Sequence, residues 1–186
     1  MTEKRNTKGF VGLIIAGVLS IIVALGALGF FQFYQTADNL YNKGNIFGEV
    51  PMKDEAVTAV KITGYAENPI ATIDGGTKLY LIEFTKTDND DFGYASLEVK
   101  EGDKLIEKLK STDDLVANPV IVAAKMRKSG ADGAVRNYTS EFKATISENE
   151  NISKLAETEY YVSVYEFDKD RQFAYIVAGI AGIIAL

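Results

Sequence analysis

The chain contains no cysteine and no histidine. The first absence excludes disulfides, thiolate nucleophiles and thiolate metal sites. The second removes the side chain best suited to proton transfer near neutral pH, which is also the commonest metal ligand. Secreted eukaryotic domains of this size often carry disulfides, so a chain without cysteine points toward a bacterial surface protein. Basic residues are in deficit, with 20 Lys and Arg against 26 Asp and Glu, a net charge of −6. That balance argues against a nucleic-acid partner, because phosphate binding needs positive potential.

Charge is also missing locally. Residues 9–32 and 173–186 carry none. Between Phe10 and Phe31 lie 22 consecutive uncharged, mostly apolar residues. As a helix they extend about 33 Å, which matches a hydrocarbon core of about 30 Å. Phe30, Phe31, Phe33 and Tyr34 supply an aromatic belt at the far end. The head, residues 1–8, holds Lys4, Arg5 and Lys8 against Glu3. The positive-inside rule then predicts a cytoplasmic N-terminus and a main domain outside the plasma membrane. A cleaved signal peptide is the rival, with Ala27-Leu28-Gly29 as a passable small-x-small site. The apolar run is longer than the roughly 7–15 residues of a signal core, which favours an uncleaved anchor over residues 9–34.

The second apolar stretch, 173–186, has 14 residues. As a helix it extends only about 21 Å, too short for a full crossing. The expected reading is a second transmembrane helix completed beyond Leu186, with a short terminal helix held against protein or in one leaflet as the rival. Both stretches carry small residues four apart: Gly12, Ala16, Ser20 and Ala24, then Ala174, Ala178 and Gly182. Such ridges let helix backbones approach in lipid, so packing on each other or on a partner subunit is expected.

Outside the head the chain keeps 17 of the basic and 25 of the acidic residues, a net charge of −8. Residues 35–55 are polar and punctuated by Gly44, Gly48 and Pro51, and read as a juxtamembrane linker. Residues 56–167 read as a β-rich α+β domain. Val57 to Thr63 alternates and is β-branched, with a bulge or bend expected at Gly64. Residues 69–73 continue extended, and Asp74-Gly75-Gly76 predicts a hairpin turn. In the strand Lys78 to Lys86, Leu79 and Leu81 face one way and Tyr80, Ile82 and Phe84 the other. Further strands are predicted over 92–99, 119–126 and 159–167. Leu105, Ile106 and Leu109 mark an amphipathic helix over 103–110. Residues 137–156 are mixed and partly helical. This order resembles a five-stranded Greek-key barrel of the oligonucleotide/oligosaccharide-binding (OB) type, with a mixed-sheet sandwich as the rival. Such barrels host many functions, so the resemblance implies architecture alone.

Three constellations are candidates for chemistry. Asp88, Asp90 and Asp91 crowd one loop with hard oxygen donors suited to Ca²⁺. However, Phe92 and Val99 stand where a calcium loop needs ligands, so a solvated turn is the expected reading. Lys125, Arg127, Lys128 and Arg136 form a local basic cluster that would suit a phosphate, a lipid headgroup or an acidic partner. Tyr160, Tyr161 and Tyr165 would suit stacking, but at strand spacing they are expected to be part core and part rim. There is no Walker loop, no dinucleotide fingerprint and no metalloprotease helix. The expected function is a non-catalytic, membrane-anchored interaction or scaffold module without cofactor. Its partners would be the bilayer and a membrane protein or a second copy. A carboxylate-based enzyme on envelope sugars or peptides, and a ligand or Ca²⁺ sensor, are the alternatives.

Overall fold

A computed structural model describes residues 7–73, 76–86, 91–129 and 142–184. The chain forms two units, residues 1–34 with 169–186, and residues 35–168.

In the first unit, α1 (Thr7–Gly29) runs directly into a π-helical turn, Phe30–Tyr34. From Gly12 to Tyr34 this helix is long and apolar enough to cross a membrane, and almost none of it is buried. Ala24 is buried here, as is Ala178 on a second helix, α5 (Val164–Ile184), whose later part belongs to the same unit.

The second unit is a closed five-stranded β-barrel. Its strands are β1 (Val57–Tyr65), β3 (Thr77–Thr85), β4 (Phe92–Lys100), β5 (Val120–Lys128) and β6 (Tyr160–Ser163). Around the barrel the order is β1-β3-β4-β6-β5 and back to β1. Every pairing is antiparallel except β4 with β6. A short strand, β2 (Ala71–Ile73), adds to the outer end of β3.

Closure depends on the bend in β1. Residues 57–62 pair with β5, and the register then shifts between Ile62 and Gly64 so that the end of the strand pairs with β3. The bulge expected at Gly64 is therefore the corner of the barrel: one extra residue bends the strand and sharpens its twist. Alternation sends Tyr80, Ile82 and Phe84 of β3 inward, where they meet Val60, Ile62, Ala95, Leu97, Met126 and Val162. Each such side chain contributes about 1.5–3 kcal/mol by leaving water. On the outer face Leu79 is buried against Tyr161 and Ala71. The helix α3 (Lys104–Ser111) starts where the Asp103 carboxylate accepts from the Leu105 N–H at 2.8 Å. It adds Leu105, Ile106 and Leu109 to the core.

Two sequence expectations change. Residues 35–55 are part of the folded unit. Residues 37–42 form α2 (Ala37–Asn42), which packs on β1 and β5. Ile46 and Phe47 are fully buried, and the Phe47 N–H donates to the Ala59 carbonyl at 2.8 Å. The segment fills the side of β1 that β3 leaves open below the bulge. The last strand stops at Ser163, short of Phe167, and α5 begins at Val164. The reason is local: Ser163-x-x-Glu166 is a capping-box sequence, and the Ser163 hydroxyl accepts from the Glu166 N–H at 2.9 Å. The mixed stretch is helical over 142–147 and in α4 (Glu150–Leu155).

Candidate functional site

The outer face of the barrel where β1, β3 and β4 meet carries a groove of about 270 Å³. Gly64, Tyr65, Ala66, Leu81, Glu83 and Tyr94 line it. Each is there for a topological reason. Alternation along β3 puts Leu81 and Glu83 outside when Ile82 and Phe84 go inside. Register across the hairpin sets Tyr94 of β4 opposite Glu83. The β1 bulge sets Gly64 opposite Glu83 on the other side. A Cβ at Gly64 would lie 3.2 Å from the Glu83 Cβ, so the glycine keeps the two strands close there.

Glu83 is the centre of this groove. Its Oε1 accepts from the Thr63 hydroxyl at 3.0 Å, and its Oε2 accepts from the Tyr94 hydroxyl at 3.2 Å. Thr63 is the residue pushed out by the bulge, which explains why its hydroxyl reaches across to β3. Burial, followed by the neighbouring Glu83 charge and hydrogen bond, raises the Tyr94 phenol above its ordinary 10.0. Tyr94 therefore stays a proton donor. The Phe92 ring stands edge-on to Tyr94, 5.9 Å between centroids, and is itself exposed. Among the described residues lining the groove, Glu83 is the one carboxylate.

The basic cluster is not an open anion site. Lys125 and Arg127 are buried on the outer face of β5. The Lys125 ammonium lies 2.9 Å from Glu55, and Arg127 pairs with Glu166, Asp54 and Glu55. Lys128 is exposed and pairs with Glu159 at 3.3 Å. Arg136 lies outside the described residues. The cations that looked clustered in sequence are thus taken up by acids distant from them in sequence. Desolvation lowers the Arg127 guanidinium and the Glu166 charge raises it, with a net rise that keeps it charged.

Asp88 and Asp90 also lie outside the described residues; Asp91 is exposed, and its carbonyl accepts from the Lys86 N–H at 3.2 Å. No group of three metal-ligating side chains occurs among the described residues. Tyr161 is buried, and Tyr160 and Tyr165 are half-buried.

In the first unit a second groove, about 360 Å³, runs between the apolar helices. Leu19, Ser20 and Val23 line one wall, and Val177, Ile180 and Ala181 the other. Ser20, Ala24, Ala174, Ala178 and Gly182 are partly or fully buried, whereas Gly12 and Ala16 are exposed. The small-residue ridge of α1 is therefore covered at its later end and open at its start.

The groove residues were missed in the sequence because Glu83 is one acid in an alternating strand. Its partners, Thr63 and Tyr94, are 20 and 11 residues away. The available signal was the pairing of Gly64 as a bend with the period-2 pattern of 78–86. No protein-family model, characterised protein or solved structure matches the chain.

Proposed function

We propose that the chain is a non-catalytic interaction module, anchored in a bacterial plasma membrane by its N-terminal helix and carrying its barrel on the outer side. One observation carries this reading. The helix Gly12–Tyr34 is apolar throughout yet scarcely buried, with Leu13 74 % and Leu25 64 % exposed. A core helix of a soluble protein would hide those side chains. A continuous apolar surface of this size needs lipid or protein to cover it. The basic head, Lys4, Arg5 and Lys8, favours a cytoplasmic N-terminus. On this reading the apolar stretch of α5 is a second membrane segment, and the groove between it and α1 faces lipid or a partner helix.

The barrel supplies the interaction surface. Its strand order and its single parallel pairing support the OB-type reading, on which the second and third barrel strands would carry the ligand. The Glu83 groove lies on the corresponding strands, β3 and β4. The role is that of an accessory or scaffold subunit for another membrane protein or for a second copy.

Fractionation of cells expressing the full chain tests this. The protein should stay in the membrane pellet through high-salt and alkaline washes, with its head attached, and should come out only with detergent. Recovery in the aqueous fraction would overturn the anchor. Cross-linking before mild-detergent extraction should give a discrete larger species; a strictly monomeric protein without partner would overturn the module reading.

A further inference from the structure

We infer that the Glu83 groove recognises a guanidinium group, as presented by an arginine side chain; this rests on the groove being the module's binding surface. Three features carry it.

The first is valence. A carboxylate only accepts hydrogen bonds and offers about four lone-pair sites over two oxygens. In Glu83 one site on Oε1 is taken by Thr63 and one on Oε2 by Tyr94. One site remains on each oxygen, which is what a two-pronged donor needs. Guanidinium presents two parallel N–H groups in a planar fork and meets carboxylates in this bidentate manner.

The second is charge. Asp54, Glu55 and Glu166 all pair with Lys125 or Arg127. Glu83 is half-buried and has hydroxyl partners alone among the described residues. The chain as a whole is acidic, with a net charge of −6, so a cation approaches it favourably.

The third is shape. Small residues, Gly64 and Ala66, leave the groove open beside the carboxylate. Tyr94, whose hydroxyl reaches Glu83, brings an aromatic ring to its wall, whereas the Tyr65 side chain packs on the barrel core. A planar, weakly hydrated guanidinium can stack on such a ring while its N–H groups face the carboxylate. An ammonium is a compact, strongly hydrated point charge and uses this geometry less well.

The test uses the full isotope-labelled chain in nanodiscs of uncharged lipid. Amide resonances of Gly64, Leu81 and Glu83 are followed during titration with N-acetyl-arginine amide, N-acetyl-lysine amide and N-acetyl-citrulline amide. Citrulline keeps the shape of arginine and removes its charge. The expected order of affinity is arginine, then lysine, then citrulline, with about tenfold between first and last. Glu83→Gln should abolish that preference while leaving the spectrum folded, and added salt should weaken arginine binding. A methylguanidinium arm distinguishes sources. Weaker binding than by the arginine amide supports a cation borne on a peptide, and equal binding supports a free small guanidine. Citrulline amide or maltose perturbing the same resonances as strongly as arginine overturns the guanidinium inference and leaves the groove as the binding surface. If no probe perturbs them the guanidinium inference falls, and if Glu83→Gln also leaves cross-linking to the membrane partner unchanged, the groove reading falls with it.

Discussion

Arg127, near the end of β5, donates from its guanidinium to the carboxylate of Glu166, in the first turn of α5. The same guanidinium donates to Asp54 at 3.2 Å, while Glu55 lies between it and Lys125. Ser163 joins the cluster from the other side: it caps α5 and donates to the buried Glu98 carboxylate at 2.5 Å. Arg127 thus ties together the segment before β1, the strand β5 and the start of α5. Arg127 is 9 % exposed, whereas Glu166 is 27 % and Asp54 38 % exposed. Water screens part of the attraction, which places the network between an exposed pair and a fully buried one.

Arg127→Met should therefore destabilise the barrel by about 1–3 kcal/mol, because it strands acids that have lost their counter-charge. Arg127→Lys should recover little of that, since an ammonium cannot serve Glu166 and Asp54 from one planar fork. Urea unfolding of the full chain in detergent, followed by tyrosine fluorescence, checks both.

Acid should loosen the same region. Burial raises the Asp54 carboxyl, but the Lys128 N–H and the Arg127 charge outweigh it, and the net effect is a value below the ordinary 3.8. A carboxyl lowered by folding contributes stability that is present above its unfolded value and disappears as pH falls through the folded one. The loss should begin below 3.8 and grow as the pH drops further. Asp54→Asn removes this contribution, so its thermal midpoint should depend less on pH in that window than that of the wild type. Equal slopes for the two proteins would show that other carboxyls govern the acid limb.

Thr85 gives a prediction of the opposite sign. Its hydroxyl is buried and has no hydrogen-bond partner among the described residues. An unsatisfied buried hydroxyl costs about 1–3 kcal/mol, and valine has nearly its shape. Thr85→Val should raise the unfolding free energy by about 1 kcal/mol. A thermal melt showing a lower midpoint would mean that the hydroxyl has a partner after all.

Features set by local chemistry were readable in the sequence. The apolar helix follows from a charge-free run, the bend from Gly64 inside a β-branched strand, and the inward set Tyr80, Ile82 and Phe84 from period-2 alternation. Features set by long-range pairing were not. Phe47 enters the core by pairing with Ala59 across a polar stretch that reads as linker. Lys125 and Arg127 look like a surface patch until Glu55 and Glu166 are brought beside them. The groove combines both kinds. The alternation alone puts Glu83 on the outer face, but its meeting with Thr63 and Tyr94 depends on a bulge and a hairpin register. The end of β6 shows a conflict of signals, because Tyr160 to Tyr165 alternates like a strand while Ser163 and Glu166 form a cap, and the cap decides.

The close packing around Phe84 yields the last prediction. The Phe84 ring lies edge-on to Phe47, 4.9 Å between centroids, and is flanked by two glycines. A Cβ at Gly93 would come within 2.8 Å of Phe84 Cζ, and one at Gly48 within 2.7 Å of Phe84 Cε2. Gly48 also has φ +90°, a conformation that side-chain-bearing residues adopt only under strain, so a substitution there mixes two effects. Gly93 isolates the steric one. Gly93→Ala should cost about 1–3 kcal/mol, the usual range for overpacking a filled core. Phe84→Leu should cost about 1–2 kcal/mol through lost contact and the space it leaves. If the methyl and the ring compete for the same volume, the double variant should be more stable than the sum of the two losses implies, by at least about 1 kcal/mol. Additive losses in the cycle would mean that the two residues do not share that space.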